Sequence, residues 1–290
     1  MEDLYEKYKG LLFRLAYQLT GSAADAEDIV QDVFVKVHDI HPERLAHPKA
    51  YLCKMTTNRC LDLLRSARSR RELYIGPWLP EPIPTSDEDP FEAVIHKDLL
   101  SYAMLVLLER LSPSERAVFV LREALCFDYA DIAGLVGKSE TNCRKLISRA
   151  REKMGIAQHA SVPAEGAREE WVGRFLSALE QGNVPSLLSL LSEDIVLLSD
   201  GGGKVLAAVH PIVTRDRVAR FLFGLIRQAA QDEVSFQVEV RPLNGQTGFV
   251  IRTGEHIDTV GFLHIEHHTI RSVYFIRNPD KLRFIKASDK

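Results

Sequence analysis

The sequence predicts a multidomain chain: two all-α helical domains followed by an α+β domain. Three observations carry this. Apolar residues recur at helical spacing from residue 3 to residue 154. Beyond Met154 the composition changes, and residues 234–282 hold four β-like runs. The length, 290 residues, exceeds what one core usually serves.

In the first helical stretch, residues 3–20, Leu4, Leu11, Leu12, Leu15, Ala16 and Leu19 form one stripe. Gly21 breaks it. Ser22 or Asp25 can cap the next helix, 24–40, which has acids in its first turn where the helix dipole favours them. Ile29, Val33 and Val37 line its inner side, while Asp25, Asp28, Gln31 and Asp32 form an acidic, polar face. Pro42 and Pro48 punctuate a loop. Residues 50–73 resume the pattern with Leu52, Met55, Cys60, Leu63 and Leu64 inward, and end on Arg65, Arg68, Arg70 and Arg71. Such an arginine-rich end is ordinarily solvated and compensates the dipole.

The stretch WLPEP (78–82) and the acidic, proline-rich IPTSDEDP follow. A second helical block runs from about 93 to 154. LSPSERAVFVLREAL (111–125) reads as one capped helix, with Ser112 as cap, Pro113 in the first turn and Glu115 at capping-box spacing. Tyr129, Ile132, Ala133 and Leu135 then mark a short helix ended by Gly137. Ser139 caps another, with Cys143, Leu146, Ile147 and Ala150 inward. Ala133 and Gly134 permit close approach. Helix, glycine turn, helix is a helix-turn-helix. Its second helix exposes Thr141, Asn142, Arg144, Lys145, Ser148, Arg149 and Arg151, side chains suited to phosphates and base edges. The bland alternative is a helical hairpin with a solvated basic face.

Composition bounds the rest. Hydrophobic content of 46% and charged content of 27% describe an ordinary folded protein. A net charge of -3 argues against a chain that coats nucleic acid unaided, yet leaves room for local basic patches. Apolar runs such as AMLVLL (103–108) are too short to span a bilayer, and MEDLYEKYKGLL has no secretory h-region, so a cytoplasmic protein without membrane contact is expected. Cys53, Cys60, Cys126 and Cys143 form no CxxC pair and have no zinc-ligand histidine spacing. Reduced, mostly buried thiols are the reading, with redox or zinc chemistry as the alternative; no metal and no cofactor is expected.

Residues 1–157 resemble a sigma factor of the extracytoplasmic-function type, in the sigma-70 superfamily. DAEDIVQDVFVKVH (25–38) is similar to the region that binds the clamp helices of the polymerase β′ subunit. AYLCKMTTNRCLDLLRSARSRRE (50–72) is similar to the regions that open and read the −10 element. Residues 111–152 are similar to region 4, which reads the −35 element and touches the β flap, with Tyr129, Ala133, Gly137 and Ser139 where its pattern expects them.

The resemblance implies roles. Asp25, Asp28, Gln31 and Asp32 would bind core RNA polymerase. Asn58, Arg59 and Asp62 would face the −10 strand, with Arg65, Arg68, Arg70 and Arg71 on its backbone. Arg144, Lys145 and Ser148 would read −35 base edges beside Thr141 and Asn142, with Arg149 and Arg151 on phosphates, since base contacts specify and phosphate contacts position. Promoter DNA and core polymerase are the expected partners. The stretch 50–72 lacks the row of exposed aromatics that would stack opened bases.

After the small, polar stretch 155–167, residues 169–191 predict a helix, a turn at Gly182–Asn183 and a second helix. IVLLSDGGGKVLAAV (195–209) predicts strand, glycine turn and strand; 215–230 is helical. Four β-like runs (234–243, 247–254, 258–267, 269–282) complete helices on one curved antiparallel sheet. This resembles a SnoaL-like domain, a cone-shaped α+β fold. WLPEP (78–82), DGGGKV (200–205) and NPDKL (278–282) together resemble the sigma subgroup with such a fused extension, which implies that the extension regulates the sigma part. The expected domains are 1–73 (region 2), a 74–100 linker, 101–157 (region 4), a 158–168 linker and 169–290 (SnoaL-like).

Under that resemblance Trp78, Leu79 and Pro80 dock a groove near Asp200, Lys204, Asn278, Asp280 and Lys281, the prolines lowering the segment's entropy. Trp78 could instead cap the N-terminal domain's core. DGGGK lacks P-loop spacing. SnoaL-like relatives include enzymes that use an Asp or His, so Asp200, His210 and His264 are acid–base candidates. If 258–267 is a strand, His264 shares the mixed face with Phe262 and Glu266, away from Leu263 and Ile265. A non-enzymatic initiation factor is therefore expected, with a small-molecule ligand in the C-terminal pocket favoured over turnover. The alternatives are a regulator acting without polymerase, and a SnoaL-like enzyme or ligand sensor fused to a DNA-binding module.

Overall fold

The computed structural model describes residues 2–38, 47–85, 99–156, 169–231 and 235–285; within α3, the side chains of residues 67–72 lie outside that description. The described residues form two compact units. One holds residues up to 72, 99–100 and 104–156, and the other holds Leu73–Thr85, Ser101–Ala103 and residues 169–285. Apart from Leu73 and Ser101–Ala103, the described residues of the two expected helical domains fall in the first of these units. Residues 74–85 of the expected 74–100 linker belong to the second unit, where Leu79 and Ile83 are buried.

The first unit contains α1 (Glu2–Thr20), α2 (Ala23–His38), α3 (Pro48–Glu72), α4 (Tyr102–Leu108, in this unit from Met104), α5 (Pro113–Phe119), a π-helical turn (Val120–Ala124), α6 (Tyr129–Val136) and α7 (Glu140–Met154). Gly21 ends α1 at a φ of 70° that favours glycine, and Ser22 Oγ then accepts from Asp25 N at 3.1 Å to cap α2. Ala26, Ile29, Val30, Val33, Phe34 and Val37 are the buried face of α2.

Around α5 both halves of the capping box form: Ser112 Oγ accepts from Glu115 N, and Glu115 Oε2 accepts from Ser112 N at 2.9 Å. The single helix expected over 111–125 instead widens after Phe119 into the π turn, where Leu125 N bonds Val120 O at 3.2 Å. Gly137 (φ 65°) closes α6, and Ser139 Oγ caps α7 through Asn142 N.

Helix α3 packs against α5 and α6. Buried Arg116 of α5 gives Nε and Nη2 to Leu108 O (3.0 and 2.7 Å) and Nη1 to Leu19 O (2.9 Å), and pairs with Glu109 at 2.7 Å. One guanidinium thus bonds carbonyls at the C-terminal ends of both α1 and α4.

The second unit contains α8 (Glu169–Glu180), α9 (Val184–Leu190), β1 (Leu191–Asp200), β2 (Ile212–Val213), α10 (Arg215–Gln231), β3 (Phe236–Leu243), β4 (Gln246–Thr253), β5 (His256–Glu266), β6 (Thr269–Ile276) and a 3₁₀ turn (Pro279–Lys281). The sheet order is β2-β1-β6-β5-β4-β3. Strands β3 to β6 form the expected meander, but β1 runs parallel to β6, so the sheet is mixed rather than purely antiparallel.

The strand–turn–strand reading of 195–209 is also corrected. After Asp200 the chain folds back on itself as a loop and reaches the sheet again only at β2. A side chain at Gly201 would meet Val205 O at 2.5 Å, and Lys204 N bonds Gly201 O.

One face of the sheet meets the helices. Phe175, Leu197, Leu222, Phe249, Leu263, Val273 and Phe275 meet there as one core. The opposite face buries Val250, Val260, Phe262, Tyr274 and Ile276, by the register Val250↔Val260↔Ile276 and Phe262↔Tyr274. A strand alternates its side chains, so a sheet buried on both faces needs a second cover. Tyr102 supplies part of it, stacking on Phe262 with ring centroids 4.0 Å apart.

Candidate nucleic-acid interface and linker dock

On α7 the side chains of Thr141, Asn142, Arg144, Lys145 and Arg149 are exposed and Ser148 is half-buried. Arg151 departs from the expectation: it turns to Glu123 at 2.8 Å and keeps only 12% of its side chain exposed, off the outward basic face. Arg144 lies over the Tyr129 ring, 4.0 Å from its centroid. On α3, Asn58, Arg59, Asp62 and Arg65 are exposed. Arg65 pairs with Asp62 at 2.9 Å, while Arg59 reaches across to Asp32 of α2 at 3.1 Å. Arg68, Arg70 and Arg71 lie on α3, but their side chains fall outside the described residues. On α2, Asp28, Gln31 and Asp32 are exposed and Asp25 is half-buried; Val35, 69% exposed, continues the same strip at helical spacing.

In the second unit the three short motifs meet. Asp200, fully buried at the end of β1, accepts four hydrogen bonds. Its Oδ1 takes Tyr74 OH (2.5 Å) and Gly202 N (3.1 Å), and its Oδ2 takes Leu79 N (2.8 Å) and Lys281 Nζ (2.7 Å). Lys281 Nζ also donates to Leu79 O at 2.5 Å and lies 3.8 Å from the Trp78 ring centroid. Both backbone groups of Leu79 are thereby bonded by one buried ion pair, as a buried peptide requires. Trp78 acts here as the face of a cation–π contact, while Leu79 is the fully buried anchor. Pro80 O accepts from Tyr102 OH at 2.6 Å.

Burial and the neighbouring Asp200 push the acidity of the Tyr74 hydroxyl well away from deprotonation, so Tyr74 stays a donor to Asp200 while accepting from Asn278 Nδ2. Gly202 shows why glycine stands in the loop: a Cβ there would fall 2.3 Å from Asn278 Nδ2. Farther along, Ile83 and Asn244 exchange bonds, with Ile83 N donating to Asn244 Oδ1 (3.0 Å) and Asn244 N to Ile83 O (2.9 Å), and Pro84 bridges to Leu243. Lys204 and Asp280 pair with each other at the surface; Lys204 holds the Asp280 carboxyl below the usual carboxylate range.

The sequence reading missed Tyr74, Tyr102, Asn244 and Gln246, which accepts from Tyr102 N at 3.0 Å. Tyr74, an aromatic wedged between the arginine run and WLPEP, was the one available signal.

The acid–base candidates do not converge. Asp200 is spent on the linker, His210 is exposed, and His264 lies opposite Ser272 on the linker-facing side of the sheet, where burial lowers its basicity. On the helix-facing side Phe249 contacts both Phe175 and Phe275. Among the described residues no cluster of His, Cys, Asp or Glu could hold a metal, and no helix is long and apolar enough to cross a membrane.

The sequence matches the model for sigma-70 region 2 over residues 4–70 and that for sigma-70 region 4 over residues 101–154. It is 39% identical over 228 residues to "ECF RNA polymerase sigma factor SigJ" of Mycobacterium tuberculosis, covering 77% of this chain and 72% of that one. The chain belongs to the ECF sigma factors of RNA polymerase. Another sigma factor of that organism, "Probable ECF RNA polymerase sigma factor SigI", is 30% identical over 98% of this chain and 95% of its own length. A crystal structure of the M. tuberculosis sigma factor SigJ matches with a TM-score of 0.78 and 31% identity over 97% of this chain and 98% of that one. Within this ECF sigma factor the α+β unit is therefore part of a whole-chain architecture shared with a relative. Like other sigma factors it is a transcription initiation factor rather than an enzyme.

Proposed function

We propose that this sigma factor directs core RNA polymerase to its promoters through α2, α3 and α7, and that its second unit restrains it by holding the WLPEP segment. Asp28, Gln31 and Asp32, with Asp25 at their edge, meet the β′ clamp helices. Asn58, Arg59, Asp62 and the α3 arginines meet the −10 element. Thr141, Asn142, Arg144, Lys145, Ser148 and Arg149 meet the −35 element, with region 4 also against the β flap. Trp78, Leu79, Pro80, Asp200, Asn278 and Lys281 form the regulatory dock, and Lys204 with Asp280 buttresses it.

The packing of α3 on α6 carries the restraint reading. The names of the two elements place them about 25 base pairs apart, which is ~85 Å at 3.4 Å per base pair. A −10 helix packed on the helix-turn-helix cannot serve both at once, so initiation requires the first unit to open. The chain between α3 and α4 sets how far it can open. Leu73–Thr85 and Ser101–Ala103 both belong to the second unit, so that unit holds the chain just after α3 and again at the start of α4. Releasing WLPEP frees the first of these two points.

The test is run-off transcription with core polymerase on a promoter selected for this protein. Full-length chain, a chain ending near residue 167 and Trp78→Ala are compared. Promoter-specific transcripts from the wild type, raised by Trp78→Ala or truncation, are expected. Transcripts unchanged by both variants would remove the regulatory dock and leave the sigma activity.

A further inference from the structure

The ring of Tyr129 is shared by two arginines. Arg144 of α7 lies 4.0 Å from its centroid, and Arg122 of the π turn lies 5.0 Å from it. Each partner is itself fixed. Arg122 Nη1 donates to Phe127 O at 2.8 Å, and Tyr129 is the first residue of α6, behind Asp128, which caps the helix through Asp131 N at 2.8 Å. Arg122 belongs to the π turn, which lies between α5 and α6.

Arg144 is otherwise a solvent-exposed side chain, 60% accessible, whose charged partner Glu140 stands 3.7 Å away on the same helix face. An unsupported arginine samples many rotamers, whereas a guanidinium resting on an aromatic face keeps its N–H edge directed outward. The fifth residue of α7 also stands in the N-terminal half of the helix, the part that recognition helices present to base edges.

We infer that Tyr129 is a specificity-determining positioning residue, whose ring holds Arg144 in the orientation that reads one base pair of the −35 element. The inference rests on the reading of α7 as the −35 reader. Arg122 fixes the ring from the other partner's position and contributes no base contact.

The experiment uses the full chain with core polymerase on a selected promoter whose −35 element is randomised, and sequences the transcribed templates. Arg144→Ala is expected to flatten the preference at one base pair by about tenfold or more, the discrimination of one good arginine–base contact. Tyr129→Leu, which keeps bulk beneath the arginines without the ring, flattens the same base pair, and Tyr129→Phe retains the wild-type profile. If Arg144→Ala flattens a position and Tyr129→Leu leaves it intact, the positioning role is overturned while α7 remains the reader. If no variant, Arg144→Ala included, alters any position, Arg144 reads no base and both statements fall together.

Discussion

Lys281 Nζ lies 2.7 Å from Asp200 Oδ2, with 6% and 0% of the two side chains exposed. A buried ion pair contributes little net stability compared with an apolar pair, but removing one partner strands the other charge. Lys281→Met therefore leaves Asp200 with only its tyrosine and amide donors. It is expected to destabilise the second unit by about 3–5 kcal/mol. Asp200→Asn combined with Lys281→Met should cost clearly less than the two single losses added. Urea denaturation of the full chain, followed by tryptophan fluorescence, measures both. Additive losses would mean that the two groups act independently.

A second contact tests the core. A Cβ at Gly261 would fall 2.1 Å from Phe249 Cζ, so the ring occupies the space a side chain would need. Phe249 is held in turn by Phe175 and Phe275. Gly261→Ala must push that ring off its position, an overpacking that costs about 1–3 kcal/mol. Phe249→Leu in the same chain should restore part of the loss, which a melting curve of each variant reads. Equal stability of Gly261→Ala and wild type would show that the ring has room to move.

The capping box gives a pH dependence with a definite sign. Burial would raise the Glu115 carboxyl, but Lys153 and both donors of Ser112 outweigh it and hold the group below its ordinary 4.5. A carboxylate with a depressed folded value stabilises above its unfolded pKa and loses that stability as pH falls through the folded value. The first unit should thus weaken below about pH 4.5 more steeply in wild type than in Glu115→Gln, which holds no charge to lose. Denaturation midpoints at pH 7 and pH 4 compare the two chains. Parallel losses would place the acid sensitivity elsewhere.

The helices of the first unit were legible because their signals are local. Ser112, Glu115, Gly137 and Ser139 each act within four residues of the turn they shape, and each does so in the structure. The second unit was legible in its helices and its four-strand meander, but not in β1. Whether a strand pairs in parallel depends on a partner 76 residues away, and Leu197 beside Val273 leaves no mark near residue 197. The same limit explains the dock. WLPEP, Asp200 and Lys281 were readable as a set through their resemblance to a sigma subgroup, whereas Tyr102 and Asn244 acquire their roles only when the fold brings Phe262 of β5 to the one and Ile83 to the other. The π turn escaped for another reason: LSPSERAVFVLREAL carries ordinary helical spacing, which does not mark where the helix widens.

The closed first unit makes a prediction about distance. Cys126 is exposed, while Cys53, Cys60 and Cys143 are buried, and burial pushes the Cys53 thiol up to about 11, far from the reactive thiolate. A maleimide probe should therefore label Cys126 alone, next to α6. Ser66→Cys adds a second site on α3, at an exposed residue with no proposed DNA contact. Because α3 packs on α6, the labels in the free protein should report a short separation. If α3 and α7 read the −10 and −35 elements as proposed, they follow sites ~85 Å apart on promoter DNA, and the separation should lengthen to more than ~50 Å. Pulsed spin-label distances resolve the two cases. Trp78→Ala, which weakens the hold of Lys281 on the linker, should broaden the distribution toward long distances even without polymerase. An unchanged short distance on the promoter complex would mean that regions 2 and 4 read DNA without separating, and the restraint would have to act at another step.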